Sequence, residues 1–315
     1  MRIGVLCATN RGKIMLDRLA ELLSGHEFFV FSFRETPWEP PFFDSIRATA
    51  KSIGAQFFEA PHLDIRSLRH IWDEHLIDMM FLINWRYKVP PSVYSTVSRG
   101  VFVFHDSLLP KYRGFSPTVW AIINGEKETG VTLFEIAEDI DSGDIIDQER
   151  VPIGPDETIR EIYDRVTETY LRLLDRNLDR LLAGTYNKYP QDHSRATYAC
   201  RRLPEDNEIS WSLPSERIYN LIRAVSRPYP GAFTYIGDRK LFVWSAKRVE
   251  PYRRYVGRIP GRVVEIRKGE GAVVLTGDGC IELTTVQREG EKALNASEIL
   301  TSLSTTLGKK LSHAT

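Results

Sequence analysis

The chain of 315 residues has only three cysteines, Cys7, Cys200 and Cys280. They are odd in number and far apart, which fits neither a disulfide framework nor a zinc site and points to a reducing cytoplasm. No apolar run approaches the roughly 20 residues that span a bilayer, so no membrane partner is expected. Met1-Arg2-Ile3-Gly4-Val5-Leu6 is too short an apolar stretch for a signal peptide and reads as a strand. Net charge is also missing: 42 basic residues stand against 42 acidic ones, which argues against a dedicated nucleic-acid binder. Glycines are too sparse around Arg11-Gly12-Lys13 for a phosphate loop or a dinucleotide fingerprint. Repeats and low-complexity tracts are lacking as well.

The zero balance hides an asymmetry. Residues 201–315 carry 19 basic and 13 acidic side chains, whereas 1–200 carry 23 and 29. A solvated surface accounts for a surplus of that size. With 42% apolar and 27% charged residues, this is an ordinary globular composition, and the length favours about two domains.

The first ~140 residues alternate apolar runs with helix-like stretches. Strands are expected at 3–8, 28–33, 56–58, 79–84 and 101–104, with a helical pattern over Leu16–Leu23. Apolar runs without alternation suit strands covered on both faces, and their interleaving with helices predicts an α/β, doubly wound, mostly parallel sheet. In such sheets ligands bind beyond the carboxyl ends of the strands, where Asn84 and His105 both fall. Ile159, Ile162, Tyr163, Val166, Tyr170, Leu173 and Leu174 predict a helix over 158–182, with Asp156 or the adjacent turn as its cap. Residues 1–188 are read as one domain, 189–207 as a polar linker and 208–315 as a second domain. In the latter, a helix near 216–225, five short strands with Gly-rich turns and a helix near 297–303 suggest a small OB-like β-barrel.

The chemistry concentrates in His105-Asp106-Ser107-Leu108-Leu109-Pro110-Lys111-Tyr112-Arg113-Gly114 and in Asp139-Ile140-Asp141-Ser142-Gly143-Asp144. A histidine ending a buried strand is often only a hydrogen-bonded core residue. Here a tight polar loop follows it, and a carboxylate on a second Gly-containing loop answers it. Imidazole serves as a base or oxyanion donor near neutral pH, and a carboxylate fixes its protonation state.

Together with the flanking Gly100-Val-Phe-Val-Phe and Ser116-Pro117-Thr118-Val119-Trp120-Ala121, these motifs resemble the 10-formyltetrahydrofolate-dependent formyltransferases. The resemblance covers nearly the whole chain. It implies a Rossmann-like catalytic domain, 10-formyltetrahydrofolate as formyl donor and no metal. It also implies a site built from an Asn-x-His pair and a later Asp. His105 and Asp141 match that pattern, but the asparagine position is Val103, which cannot donate a hydrogen bond. Three explanations stay open: Asn84 fills the space as a third catalytic residue, His105 and Asp141 suffice alone, or the chemistry is altered or lost. Asp106, where the family usually has a small residue, could bear on acceptor binding or on the charge of His105, or simply stabilise a turn, the preferred reading.

Trp85, Arg86, Tyr87, Leu108, Asp139 and Ile140 match the family's folate-binding positions, although Trp85 and Tyr87 also read as plain core aromatics. Ser107, Tyr112, Arg113 and Gly114 would lie between folate and acceptor, and Arg113 has a structural alternative on loop carbonyls. For the acceptor, 34–44 is rigid and net acidic, which would repel a phosphate backbone. By contrast, the stretches 195–206 and 223–233, with Trp211, resemble the branch acting on UDP-4-amino-4-deoxy-arabinose. A nucleotide-linked amino sugar is therefore expected. Methionyl-tRNA or a small amine such as hydroxyornithine is the alternative, and a binding-only homologue is a further one. A homodimer is compatible with all of them.

Overall fold

Residues that are apolar on both faces of an extended segment leave strands no solvent side, and Arg2–Cys7 (β1), Glu27–Ser32 (β2), Met79–Ile83 (β4) and Val101–His105 (β5) are nearly all buried. These strands come from a computed structural model that describes residues 1–60, 77–250 and 253–308. Gln56–Glu59 (β3) completes the parallel part of the sheet. Glu128–Glu135 (β7) and Ile145–Pro152 (β8) add an antiparallel pair. The order is β3-β2-β1-β4-β5-β7-β8. Pairing is parallel from β3 to β5 and antiparallel across β5/β7 and β7/β8. The expected mostly parallel, doubly wound sheet is present. Its strand order reverses between β1 and β4, which opens the ligand crevice beyond the carboxyl ends of those two strands.

Helices Thr9–Leu22 (α1), Phe43–Ser52 (α2), Pro91–Tyr94 (α3), Pro117–Ile123 (α4) and Ile159–Ala183 (α5) connect this sheet. The long helix starts where its apolar period predicts. Asp156 does not cap it; that carboxylate instead accepts hydrogen bonds from Tyr219 and Arg248. At the helix start, the Thr158 N–H and hydroxyl both donate to Glu161, at 2.7 and 2.9 Å. The polar stretch 188–207 is structured, with short helical turns at His193–Arg195 and Pro204–Asn207. Between them Tyr198–Ala199 (β9) pairs in parallel with Arg113–Gly114 (β6).

After Ser215–Val225 (α6) come Ala232–Ile236 (β10), Arg239–Arg248 (β11), Val263–Arg267 (β12), Gly271–Leu275 (β13) and Cys280–Arg288 (β14). They form a second sheet in the order β10-β11-β14-β13-β12, with Leu294–Asn295 (β15) on β14 and the short helix Ala296–Ile299 (α7) after it. Backbone contacts group the chain into two compact units. One comprises Met1–Thr118, Glu128–Pro152 and Ile162–Arg201; the other comprises Val119–Lys127, Ile153–Glu161 and Arg202–Thr315.

The loop joining β7 to β8 carries Asp141 and closes against β7 at Gly143. A Cβ on Gly143 would stand 1.8 Å from the Glu135 carbonyl oxygen, a separation no side chain survives. Gly143→Ala is therefore expected to lower unfolding free energy by about 1–3 kcal/mol, read by urea denaturation. A variant as stable as the parent would show that this loop yields freely.

Candidate active site at the carboxyl ends of β1, β4 and β5

Five non-glycine residues among those described have positive φ: Thr9 (66°), Asn84 (52°), Tyr112 (56°), Ser116 (51°) and Asp141 (48°). Asn84 directly follows β4, and Thr9 opens α1 two residues past the end of β1. Tyr112 and Ser116 belong to the loop after β5, and Asp141 lies on the loop between β7 and β8. Left-handed backbone is costly for such residues, and it persists where function over-determines the geometry.

His105 is the last residue of β5 and is buried. Its Nε2 lies 2.8 Å from the Tyr112 carbonyl oxygen. A carbonyl only accepts, so Nε2 carries a proton. On the neutral ring the lone pair is then on Nδ1, which faces Asp141 Oδ2 at 3.6 Å. The same Oδ2 accepts the Gly114 N–H at 2.7 Å. The spatial convergence of imidazole and carboxylate expected from the two motifs is thus present. Tyr112 and Gly114 contribute backbone groups to it.

Two further candidates, Ser107 and Arg113, brace the loops around this pair. Ser107, 1% exposed, donates its hydroxyl to the Lys111 carbonyl at 2.7 Å, and its own carbonyl accepts from Thr132. Arg113, 2% exposed, spends its guanidinium on Gln191, His193 and Tyr198. Gln191 in turn donates to the Asp141 and Gly143 carbonyls at 2.9 and 2.7 Å. Both side chains are thus hydrogen-bonded within the loops that hold His105 and Asp141. Arg113 takes the structural alternative, through a glutamine rather than directly on carbonyls.

Asn84 follows β4 beside the end of β5, and its buried Oδ1 has no hydrogen-bond partner. Trp85 and Tyr87 pack edge-on against Phe33 at 5.2 and 4.9 Å between ring centroids, and the buried Trp85 Nε1 also has no partner. Arg86 is held by Glu39 at 2.6 Å and lies over the Phe33 ring. Asp139 and Ile140 are exposed beside Asp141. Leu108 instead lines a cleft of about 520 Å³ with Lys111, Asp147, Arg150, Tyr189 and Arg195, which includes none of His105, Asn84 or Asp141. Volume alone would mislead here. Val103 packs among Leu109, Phe134 and Ile145, which leaves no amide beside His105 on β5. Among the described residues no His, Cys, Asp or Glu cluster suits a metal.

Behind His105 lies a charged core that the sequence reading missed. Arg11, 1% exposed, is sandwiched between the Tyr163 and Tyr170 rings, donates to Thr167 and pairs with Asp106 at 3.4 Å. Asp106 also accepts from Thr118 at 2.7 Å. Burial alone would raise its carboxyl pKa, but the charges of Arg11 and His105 and the Thr118 hydroxyl hold it below the usual range. Asp106 thus does more than stabilise a turn. The signal was available: Arg11 falls on the face of α1 that buries Met15, Leu16 and Leu19.

The formyl transferase family model matches residues 26–178, and the model of the formyl transferase C-terminal domain matches 203–304. The chain belongs to the formyl transferase family. Solved structures of similar fold include HypX from Aquifex aeolicus in complex with tetrahydrofolic acid, at 19% identity and TM-score 0.63, covering 95% of this chain and 47% of that one. The chain thus spans about half the length of the HypX chains it matches. An N-formyltransferase from Helicobacter canadensis, in complex with folinic acid and dTDP-3-aminofucose, matches at 20% identity and TM-score 0.65, covering 89% and 98%. Methionyl-tRNA formyltransferase from Clostridium thermocellum matches at 21% and 0.57, covering 80% and 95%.

Asp106→Asn is expected to lower unfolding free energy by about 3–5 kcal/mol, because it leaves Arg11 buried without its counter-charge. The depressed carboxyl of Asp106 stabilises the fold above the ordinary carboxylate range, about pH 4, and that contribution disappears as pH falls below it. Chemical denaturation from pH 3 to 7 checks both: the difference between parent and variant should shrink on acidification. A constant difference would contradict the assignment.

Proposed function

We propose that this chain is an N-formyltransferase that moves the formyl group of 10-formyltetrahydrofolate to the amine of a nucleotide-linked amino sugar. The observation that carries the reading is the convergence of His105 Nδ1 and Asp141 Oδ2 on one side of an imidazole whose other nitrogen is locked by the Tyr112 carbonyl. Locking Nε2 makes Nδ1 the proton acceptor. Asp141 then stabilises the imidazolium that forms and tightens from 3.6 Å as charge develops.

The residues at the crevice fit a folate. Trp85 Nε1 is a buried donor at the carboxyl end of β4 with no partner among the described residues, as a flat heteroaromatic edge with acceptors requires. Trp85, Arg86 and Tyr87 would hold it on one side, and Asp139 and Ile140 on the other. When bound, the donor supplies the formyl carbon and a nitrogen leaving group. The acceptor nitrogen bonds to that carbon as the carbon–nitrogen bond to folate breaks. His105 takes the proton the amine loses and returns it to the departing nitrogen, so the protein ends unchanged. Asn84 takes the part of the amide absent at Val103 and donates to the formyl oxygen as negative charge grows there.

The acceptor class rests on charge and on likeness. Arg34–Asp44 contains one base and three acids, an unfavourable surface for a nucleic-acid backbone. The similar Helicobacter protein is one solved with a dTDP-linked amino sugar.

Incubation with 10-formyltetrahydrofolate and a panel of dTDP- and UDP-linked amino sugars, methionyl-tRNA and hydroxyornithine tests the reading. Formylation of an amino sugar is expected. Turnover of tRNA alone would overturn the acceptor class, and turnover of nothing would overturn the enzyme reading. His105→Ala should lower the rate by about 10²–10⁴-fold.

If Asn84 already supplies the missing amide, Val103→Asn should change the rate by less than about tenfold. A gain of about 10²–10³-fold would show that the parent lacks that donor altogether.

A further inference from the structure

Two buried polar atoms at the β1/β4 switch point lack partners, and they are complementary. Thr9 Oγ1 is a hydroxyl that can donate; Asn84 Oδ1 is an amide oxygen that can only accept. Their residues leave neighbouring strands. Cys7 pairs with Ile83 in the parallel register of β1 and β4, and the Ala8 N–H donates to the Ile83 carbonyl at 3.2 Å. Asn84 is the residue after Ile83, and Thr9 stands two past Cys7 as the first residue of α1. Both have left-handed backbone, φ 66° and 52°, which neither residue adopts without cost. Two strained residues that each hide an unsatisfied oxygen are not explained by packing, since an orphaned buried polar group costs about 1–3 kcal/mol.

We propose that Thr9 is the positioning residue for Asn84: its hydroxyl donates to Asn84 Oδ1 when the site is loaded, which turns the amide N–H groups toward the formyl oxygen. The inference rests on the formyl-transfer reading above and deepens it by accounting for Val103. An asparagine on β5 would have its orientation set by its own strand. An asparagine just past the end of β4 lies outside the strand register that would set its amide. A donor behind its buried oxygen selects the nitrogen-outward state, and Thr9 carries a hydroxyl, itself unpartnered, at the exit of the neighbouring strand. A serine would serve in its place, because the hydroxyl and not the methyl does the work; valine, of equal shape, would not. Thr9 precedes the stretch matched by the family model, which begins at residue 26, so nothing about the family match assigns it a role.

The test is a double-mutant cycle on the full chain with 10-formyltetrahydrofolate and the amino-sugar acceptor. Outer partners that orient a working group typically account for about 10- to 100-fold. Thr9→Val should therefore lower kcat by about that factor while leaving KM for the acceptor and the thermal midpoint close to those of the parent. Thr9→Ser should restore most of the rate. In an Asn84→Ala background Thr9→Val should cost nothing further, because its effect passes through Asn84. Full activity in Thr9→Val, no rescue by serine, or additive losses in the double variant would each overturn the proposal. A parent that formylates no amine would overturn the formyl-transfer reading instead. In that event the Thr9–Asn84 bond is still read from the side-chain amide resonances of Asn84 with 5-formyltetrahydrofolate added. They should shift in Thr9→Val but not in Thr9→Ser, and an unmoved signal would end the proposal on its own.

Discussion

A carbonyl oxygen cannot give a proton, and the placement of the Tyr112 carbonyl 2.8 Å from His105 Nε2 organises everything around it. It commits one ring nitrogen to donation and leaves the lone pair on the other, the nitrogen proposed as the base. The cost is a left-handed Tyr112, whose carbonyl would otherwise point elsewhere. The loop is held in that shape by contacts from several directions: Ser107 on the Lys111 carbonyl, Thr132 on the Ser107 carbonyl and the Leu109 N–H, and Thr197 on the Tyr112 N–H. Each is a neutral hydrogen bond worth about 1 kcal/mol, so precision here comes from number rather than strength.

Charge is handled differently on the two sides of His105. On the crevice side Asp141 has a backbone N–H and the imidazole and, among the described residues, no buried cation of its own, as the proposed proton-answering role requires. On the core side Asp106 is committed to Arg11, whose guanidinium is fixed between two tyrosine rings. A buried pair of this kind adds little net stability but penalises any rearrangement that separates it. The pair therefore pins the end of β5 and leaves Asp141 uncommitted to it.

The strands were legible because both of their faces are apolar, and the long helix because its period is clear. The antiparallel strands β7 and β8 were not expected: β7 opens on the polar Glu128-Thr129-Gly130, and β8 lies at the sheet edge and alternates with Asp147, Glu149 and Arg150, which bind Arg172, Arg176 and Glu128. Likewise α2 begins directly after a Pro-rich stretch and has no side-chain hydrogen bond at its N-cap. The approach of His105 to Asp141 could be read from motif and spacing, whereas the loop-bracing hydrogen bonds of Ser107 and Arg113 could not. Gln191 and Thr197 were hidden in a stretch that looked like a polar linker. No local pattern announces a side chain that serves a loop about 50 to 85 residues away.

The protonation pattern of His105 is open to direct measurement. With ¹⁵N-labelled histidine, and the resonance assigned by its loss in a His105 variant, the neutral ring should show the proton on Nε2 and an unprotonated Nδ1. A neutral ring protonated on Nδ1 would leave the lone pair facing the Tyr112 carbonyl, and His105 could not then be the base described here.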